Sequence, residues 1–537
     1  MRNQNVQVIE SGETLANCVI WQMIADHYRE SGQTAWLETA DPTPYYPTSN
    51  AFIAEMTADL VVAFLRDTAP TLDRAEPVYI VEMAAGTGAF AWFFVRALQD
   101  KVARFASLAT LDLHYVLSDF SESTLDAWEA EPAFANLADA GVLDFALWRP
   151  ETETTLTLRR AGITLAPDTV KNPVVVLANY FFDSIRHDFF QTENGDLREA
   201  RITVSRPLPS PIHAMTKPIC AEITLNADYK TVSPDAYYAD ADANAVLSHY
   251  AKTLGDGSFL FPVGAFSVMR TLRELTGDRF FLVTSDKGFH DTDYMSGLQA
   301  VPYTPHTGSF SYSVNFHAMG EYVRNRAGIA WHAVENLPLS TFAALSWTPE
   351  VPLENLRYAT ETAFVTNNTA KNGYQIASLF SLFDAKSDAP DADLFRAAVA
   401  CVELAFYDPW VFVRCGEHLC AGVHTDGYVS ENTARTIAVK VATHLIRPVF
   451  GAREALAYAR RLRYILGDYD ECLAANDTYR TWYGEERDTF FYPAAIAEAR
   501  GNNADAHVNY ERALTFDPDS DHAKGGYERT RDRFPSA

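Results

Sequence analysis

The sequence predicts a doubly wound α/β sheet with a β insertion, followed by an all-α C-terminal domain. Short apolar strands alternate with helices over residues 71–345, and Thr- and Pro-containing segments interrupt this alternation at about residues 190–260. Strand signals then disappear, and residues 352–537 have helical periodicity throughout. Strands that alternate with helices are typical of parallel βαβ units, in which helices cover both faces of the sheet.

The segment before the first strand, residues 1–70, is predicted to be a helical cap and lid. An apolar helical face runs through residues 10–40, and a second helix is expected at Ala51–Arg66. The loop Asp41–Pro47 between them contains three prolines, which exclude a helix there. Tyr45 and Tyr46 lie in this loop, where they either close over a bound ligand or pack on the edge of the sheet.

The strands of the sheet are short apolar runs, each followed by a turn. They are predicted at Pro77–Glu82, Leu113–Asp119, Val142–Trp148, Pro173–Asn179, Arg279–Asp286 and Ile329–Val334. The fourth run is apolar almost throughout, so it is expected to be buried on both faces. Helices are predicted between the strands at Ala89–Leu98, Ser121–Glu129, Phe266–Thr276 and Phe316–Arg326.

Composition excludes several classes of protein. The 537 residues carry a formal net charge of −26, and a surface of this sign repels nucleic-acid phosphates. The six cysteines form no CxxC pair, so we expect reduced, scattered thiols and no metal site. The N-terminus has no apolar signal region, and no apolar stretch of ~20 residues occurs. The sequence therefore predicts a cytoplasmic protein that binds neither nucleic acid nor membrane.

A glycine-containing bend provides the strongest chemical signal. The segment Glu82–Gly88, EMAAGTG, follows the first strand and precedes a helix. Glycines allow the backbone to turn sharply and to approach a ligand closely. The next strand ends in Asp119, and a carboxylate at this place can bind both hydroxyls of a ribose.

Two classes of cofactor fit this arrangement. A nicotinamide dinucleotide places its diphosphate at a helix N-terminus, and the spacing of Gly86, Gly88 and Ala91 is compatible with it. S-adenosylmethionine carries an ammonium, a carboxylate and a sulfonium, but no phosphate. Glu82 would repel a diphosphate and attract a cation, so the pattern favours S-adenosylmethionine. A domain that has lost its ligand is the third alternative.

On these residues the chain resembles class I S-adenosylmethionine-dependent methyltransferases, which have a Rossmann-like sheet, and in particular the MidA family. Glu82–Gly88 resembles the E-x-G-x-G-x-G turn of that family, and Asp119-Phe120-Ser121 resembles its acid-x-Ser motif. Ala178–Ser184 is similar to A-N-E-F-F-D-A, and Ser313–Ala318 to a late V-D-F-T-A motif. The resemblance covers residues 10–345.

The resemblance implies a methyltransferase that acts on a protein arginine. The cofactor contacts that we expect on this basis come from Glu82, Ala84, Gly86, Gly88, Asp119, Phe120, Ser121, Asn179 and Tyr46. The chain departs from the family at three positions: Ala84 replaces the first glycine, Tyr180 replaces a glutamate, and Asn315 replaces an aspartate.

Candidate catalytic residues follow the fourth strand, at the edge where such sheets form their ligand crevice. Methyl transfer depends on positioning, on desolvation and on a base where the nucleophile carries a proton. Asn179 is predicted to hydrogen-bond an acceptor nitrogen, and Tyr180 or Phe181 to stack on it. Alternatively, Asn179 caps the turn, and Phe181 and Phe182 are core residues. Asp183 binds substrate, orients the loop or caps a helix. His187 is either the base or a structural residue.

The helical C-terminus contains an internal repeat. Gly467-Asp468-Tyr469 and Gly501-Asn502-Asn503 are 34 residues apart, which is the tetratricopeptide period. The second repeat has small residues at Ala494, Ala506 and Ala513, and Pro518 ends its second helix. The domain is therefore predicted to be tetratricopeptide-like, with a generic helical bundle as the alternative. Stacked repeats present a concave surface that suits peptides or protein partners.

Three functions remain compatible with the sequence. The first is N-methylation of a protein or peptide that docks on the helical repeats. The second is methylation of a small molecule, with the repeats serving for packing or for a homodimer. The third is a catalytically weak assembly or scaffold protein that keeps the methyltransferase fold.

Overall fold

The computed structural model describes residues 5–37, 45–208, 222–295, 303–306, 309–333, 339–366, 375–384 and 391–531. The chain divides into two compact units, Met1–Gly373 and Tyr374–Ala537. No helix within the described ranges is both long and apolar enough to cross a bilayer.

The longer strands all lie in the first unit. In chain order they are β1 Asn5–Thr14, β2 Val78–Glu82, β3 Leu113–Asp119, β4 Leu143–Leu147, β5 Val174–Leu177, β6 Asp188–Glu193, β7 Asp196–Leu208, β8 Thr224–Thr231, β9 Gly257–Phe261, β10 Phe280–Asp286, β11 Ile329–His332 and β12 Ser340–Leu345. Two-residue strands pair Leu156–Thr157 with Thr164–Leu165, Gly288–Phe289 with Val314–Asn315, and Thr304–Pro305 with Phe310–Ser311.

Helices occur in both units. Those of the first unit are α1 Ile20–Ser31, α2 Thr34–Leu37, α3 Ala51–Thr68, α4 Ala89–Val102, α5 Glu122–Ala130, α6 Pro132–Asp139, α7 Ala241–Thr253, α8 Val263–Thr276, α9 Phe316–Arg324 and α10 Glu354–Glu361. Those of the second unit are α11 Ala392–Leu404, α12 Pro409–Gly422, α13 Tyr428–His444, α14 Ala452–Ile465, α15 Tyr469–Tyr483, α16 Arg487–Ala499, α17 Asn503–Phe516 and α18 Asp521–Arg531.

The main sheet has seven strands in the order β11-β12-β10-β5-β2-β3-β4. The five strands from β10 to β4 are parallel, and β12 is antiparallel to both of its neighbours. The winding of the chain reverses between β2 and β5. In open α/β sheets, ligands bind beyond the carboxyl ends of the strands at such a reversal.

Helices cover both faces of this sheet. Val81 of β2 and Val176 of β5 belong to one buried cluster that includes residues of α7, α8 and α9. On the other face, Phe64 of α3 stacks on Phe281 with 4.9 Å between ring centroids. All residues of β2 and β5 are buried, as expected for central parallel strands.

Most predicted elements of the sheet are confirmed. Leu113–Asp119 has the predicted bounds, and each of the other five predicted strands is found within two residues of its expected ends. The predictions missed β12 and α7. Strand β12 is buried along its whole length, and its run Ser-Thr-Phe-Ala-Ala-Leu contains no strongly β-forming stretch.

A second, antiparallel sheet forms the β insertion. Its strands lie in the order β1-β7-β6-β9. Strand β8 pairs with the edge of β7 opposite to the one that β1 and β6 share. The helix predicted over residues 10–40 is wrong at its N-terminal end, because β1 extends to Thr14 and α1 begins at Ile20. Pairing with β7, nearly 200 residues away, determines this strand. Residues 41–44 of the predicted proline loop lie outside the described residues.

The second unit contains helix–turn–helix pairs at the predicted places. Gly467 lies between α14 and α15 and Gly501 between α16 and α17, both with a left-handed backbone at φ 73° and 80°. Ala494, Ala506 and Ala513 are completely buried in one cluster with Phe490 and Tyr510.

The boundary between the units falls later than the predicted residue 352. Helix α10 packs on α3, and the carboxylate of Asp67 accepts hydrogen bonds from the backbone of Asn355 at 3.2 Å and of Leu356 at 2.9 Å. A carboxylate at a helix N-terminus satisfies backbone N–H groups that have no partner within the helix. These bonds place α10 in the first unit.

Candidate functional site

A cavity of about 450 Å³ lies at the carboxyl ends of the central strands. The segments that follow five strands line it: Ala84–Thr87 after β2, Asp119–Phe120 after β3, Trp148–Thr152 after β4, Asn179–Phe181 and Asp183–Arg186 after β5, and Lys287 after β10. Residues from α1, together with Trp36, Tyr45, Thr48, Ser49, His306, Phe310 and Ser311, complete the lining. The cavity therefore lies where the winding of the sheet reverses, as expected for a ligand site.

The bend after β2 has a left-handed backbone at three positions: Ala84 at φ 49°, Gly86 at 54° and Gly88 at 77°. The Ala85 N–H donates to the carbonyl of Ser118 at 3.0 Å, which ties the bend to β3. A Cβ atom on Gly86 would lie 3.5 Å from the Trp36 ring. Ala84 adopts a conformation that costs an L-residue about 1–2 kcal/mol, so the bend stores strain at the cavity wall.

Gly88 does not line the cavity. It is the N-cap of α4, and a Cβ atom there would lie 2.7 Å from the Phe134 ring. Gly88 thus allows Phe134 to approach the start of the helix, and its contact with the cofactor remains a prediction.

Asp119 lines the cavity as predicted, and it is 4% exposed. Its carboxylate accepts hydrogen bonds from the backbone N–H of Ser121 at 3.1 Å and of Gly86 at 3.4 Å, so it links the end of β3 to the bend. Burial raises its pKa to about 6.

Phe120 also lines the cavity, whereas Ser121 is buried, precedes α5 and shares a hydrogen bond with Ser123 at 2.9 Å. The predicted cofactor contact of Ser121 is thus not supported.

Glu82 does not line the cavity either. Tyr115 donates a hydrogen bond of 2.5 Å to its carboxylate, and the Tyr115 ring packs on Phe94 of α4. Burial raises the pKa of Glu82 to about 8. The carboxylate thus lies on the α4 side of the sheet, bonded to a phenol, and its predicted contact with a cationic group is not supported.

We expect the variant Glu82→Gln to be more stable than the parent protein at neutral and mildly alkaline pH. A buried acid whose pKa is raised stabilises the fold below its unfolded pKa of 4.5, and this contribution is lost as pH rises through about 8. The gain in unfolding free energy should therefore grow between pH 5 and pH 8, where it reaches about a few kcal/mol.

Chemical denaturation at pH 5, 6.5 and 8 measures this gain, and Glu76→Gln in the exposed turn before β2 is the matched control. A gain in unfolding free energy that does not change with pH would contradict the raised pKa of Glu82. If Glu82→Gln instead weakened cofactor binding, Glu82 would have the cofactor role that the sequence predicted.

Asn179 and Tyr180 line the cavity as predicted. The Asn179 side chain accepts a hydrogen bond from the Ser285 N–H at 2.9 Å and donates one to the Thr48 carbonyl at 3.4 Å. Tyr180 has a left-handed backbone at φ 48°, and its N–H donates to the Ser285 carbonyl at 3.0 Å. Asn179 therefore holds the loop before α3 against the end of β5, and its bond to an acceptor nitrogen remains a prediction.

His187 and Tyr46 do not line the cavity. His187 is completely buried against Trp21 and Tyr312, and its Nε2 lies 2.9 Å from the Phe182 carbonyl. Burial lowers its pKa to about 4, so it is a neutral core residue, which is the structural one of the two roles that the sequence left open. Of the two tyrosines in the loop before α3, Tyr45 lines the cavity and Tyr46 does not.

The end of the cavity near β5 and β10 is polar. Asp183 lines it, and its carboxylate accepts a hydrogen bond from the Ser184 hydroxyl at 2.7 Å. Lys287 donates to the Ser311 hydroxyl at 2.9 Å, and His306 Nε2 lies 3.2 Å from the same oxygen. Asp183 was predicted from the sequence, whereas Lys287, Ser311 and His306 were not. Lys287 follows a predicted strand directly, and its position at the carboxyl edge was the available signal.

Aromatic side chains form the wall opposite the sheet. Trp21 and Tyr28 come from α1, and Tyr28 stacks on Trp36 with 5.4 Å between centroids and 13° between planes. Phe310 packs on Trp21 at 5.8 Å. Sequence analysis missed these residues, because only the fold brings the N-terminal helix over the sheet edge.

The described residues contain no group of three or more His, Cys, Asp or Glu side chains placed to hold a metal ion. The five cysteines in the described ranges are buried and free: Cys18, Cys401, Cys415, Cys420 and Cys472.

No protein-family model and no curated protein matches the chain. Among solved structures, the chain is similar to three proteins from Burkholderia thailandensis. An uncharacterized protein is 13% identical, with 62% of this chain and 95% of the other covered and a TM-score of 0.35. A candidate methyl transferase bound to S-adenosyl-homocysteine is 13% identical, with 57% and 79% covered and a TM-score of 0.35. An O-methyltransferase family protein is 12% identical, with 62% and 73% covered and a TM-score of 0.25. Similarity at these TM-scores establishes no shared function.

Proposed function

We propose that this protein is an S-adenosylmethionine-dependent methyltransferase that acts on a nitrogen of a protein or peptide. The observation that carries the choice of cofactor is the hydrogen bonding of the bend after β2. The N–H of Ala85 bonds to Ser118, the N–H of Gly86 to Asp119, and the N–H of Gly88 to Ala85. A diphosphate is recognised by backbone N–H groups that are free to bond it, and these three are already engaged.

The other parts of the cavity fit S-adenosylmethionine. Neighbouring strands lie about 4.8 Å apart, so the ends of β3 and β5 are separated by roughly 10 Å. Asp119 at the first end is placed for ribose hydroxyls, and the aromatic residues of the opposite wall offer flat apolar surface for a purine. The bend and the loop after β5 then accommodate the methionine part.

The bound cofactor would supply a methyl group on a positively charged sulfur. The protein's own residues position and desolvate the reacting groups, which is the main contribution that such a displacement requires. Trp21, Tyr28, Trp36 and Phe310 exclude water from one side, and the loop after β5 presents Asn179, Tyr180 and Asp183 to the acceptor.

The helical unit is proposed to dock the substrate as a tetratricopeptide-like surface. Its two helix–turn–helix pairs have the expected spacing, and the net charge of −26 favours a basic partner. Methylation of a small molecule by a homodimer, and an assembly role without catalysis, are the competing proposals.

Calorimetry tests the cofactor first. We expect S-adenosylmethionine and S-adenosyl-homocysteine to bind the full-length protein and NAD to show no heat of binding. Affinity for NAD alone, or for none of the three, would reject the proposal.

Labelled methyl transfer into a cell lysate then separates the acceptors. Label in the protein fraction supports the protein substrate, and label in small molecules supports methylation of a small molecule. Binding without transfer supports the assembly role.

A further inference from the structure

Two aspartates meet at the polar end of the cavity. Asp183 follows β5 and lines the cavity, whereas Asp286 ends β10 and is completely buried. Asp286 accepts hydrogen bonds from the backbone N–H of Asp183 at 3.1 Å and of Lys287 at 2.8 Å. The two carboxyl groups also lie close enough to influence each other's pKa. Asp286 thus fixes the position of Asp183 relative to both strands.

The two members of this pair differ in their surroundings. Two ionised carboxylates cannot share a buried site, so the pair retains one proton. Burial, and then the charge of Asp183, hold the pKa of Asp286 well above its usual value. Burial raises the pKa of Asp183 as well, but the Ser184 hydroxyl and the charge of Lys287 oppose this rise and favour its ionised form. These neighbours favour the proton on Asp286, which is enclosed, and the negative charge on Asp183, which faces the cavity.

Three other titratable side chains in or near the cavity are less suited to accept a proton. His187 is enclosed in the core, and the Asp119 carboxylate bonds the backbone at the opposite end of the cavity. His306 bonds to the Ser311 hydroxyl, which Lys287 also contacts. Asp183 combines exposure to the cavity, negative charge and a fixed position.

Building on the proposed methyl transfer, we propose that Asp183 is the base that takes the proton of the acceptor nitrogen and that Asp286 is its positioning residue. The bond from nitrogen to the methyl carbon forms as the bond from carbon to sulfur breaks, and the sulfur keeps that electron pair. The proton passes from the nitrogen to the Asp183 carboxylate, and the electrons of the N–H bond stay on the nitrogen.

Single-turnover methyl transfer into the protein fraction of a lysate tests Asp183. We expect Asp183→Asn to lower the rate by about 100-fold or more, because a general base contributes 10²–10⁴-fold. The affinity for S-adenosyl-homocysteine, measured by calorimetry, should stay within about threefold. A rate above about one third of the wild-type rate would overturn the assignment, whereas failure of the wild-type protein to bind S-adenosyl-homocysteine would reject the proposed function itself.

Two variants of Asp286 test the positioning role. We expect Asp286→Ala to lower the rate by about tenfold and Asp286→Asn to lower it by less, because the amide oxygen can keep one of the two backbone hydrogen bonds that Asp286 accepts. Equal losses of rate in the two variants would contradict the positioning role of Asp286.

A stability measurement tests the shared proton without any methyl transfer. The raised pKa of Asp286 stabilises the fold only below the unfolded pKa, and this contribution is lost as pH rises. The Tm of Asp286→Asn, taken relative to that of wild type, should therefore be higher at pH 8 than at pH 5. A difference in Tm that is the same at both pH values would overturn the shared proton, whether or not an acceptor has been found.

Discussion

The variant Asp119→Ala should bind S-adenosylmethionine at least about tenfold more weakly than the parent protein, because hydrogen bonds to a charged group contribute about 1.5–3 kcal/mol each. Asp119 is the carboxylate at the β3 end of the cavity, and its removal takes away both proposed bonds to ribose hydroxyls. It also frees the N–H of Gly86, so the bend loses an anchor. Calorimetry with S-adenosylmethionine and with S-adenosyl-homocysteine measures the loss, which should be similar for both because they share the ribose.

Ser121→Ala is the matched control for this variant. Ser121 lies two residues away and is equally buried, but it does not line the cavity. Its substitution should leave the affinity within about twofold of the wild-type value. An unchanged affinity in Asp119→Ala, or equal losses in the two variants, would rule out the ribose contact.

The variant Gly88→Ala should destabilise the first unit by about 2–5 kcal/mol. The left-handed backbone at φ 77° costs an alanine about 1–2 kcal/mol. The new methyl group would also lie 2.7 Å from the Phe134 ring, and such overpacking costs about 1–3 kcal/mol. Urea unfolding followed by tryptophan fluorescence should show the shift, since Trp128 lies beside this contact.

Gly141→Ala separates the two contributions. Gly141 has a similar backbone, with φ 73°, but nothing lies within 4 Å of a Cβ atom there. This control should lose only the backbone contribution, about 1–2 kcal/mol. If both variants lost the same amount, the clash with Phe134 would have relaxed, and the role of Gly88 would be conformational only.

The sequence was sufficient for the central sheet because the signal there is local. A parallel strand buried on both faces is an uninterrupted apolar run, and it can be recognised without knowing its neighbours. Strand β1 was missed for the opposite reason. Its residues pair with β7 far along the chain, and its alternating Val6 and Val8 remain exposed, so the pairing and not the burial of an apolar face determines this strand.

The candidate site was predicted in part, and the errors have one physical origin. Asp119, Ala84, Gly86, Phe120, Asn179, Tyr180 and Asp183 line the cavity as expected, whereas Glu82, Gly88, Ser121, His187 and Tyr46 lie in the surrounding core or loops. A motif indicates which segments approach a ligand, but the direction of each side chain depends on its packing partners. Tyr115 binds Glu82, and Trp21 and Tyr312 enclose His187.

The pairing of β1 with β7 has a consequence for how the ligand chamber is built. Helix α1, which carries Trp21 and Tyr28, begins six residues after the end of β1, so the antiparallel sheet anchors the aromatic wall. Removing the first nineteen residues would cut that anchor and would also leave one edge of β7 without its partner. Exposed strand edges recruit other chains, so such a shortened protein should aggregate as well as lose its ligand.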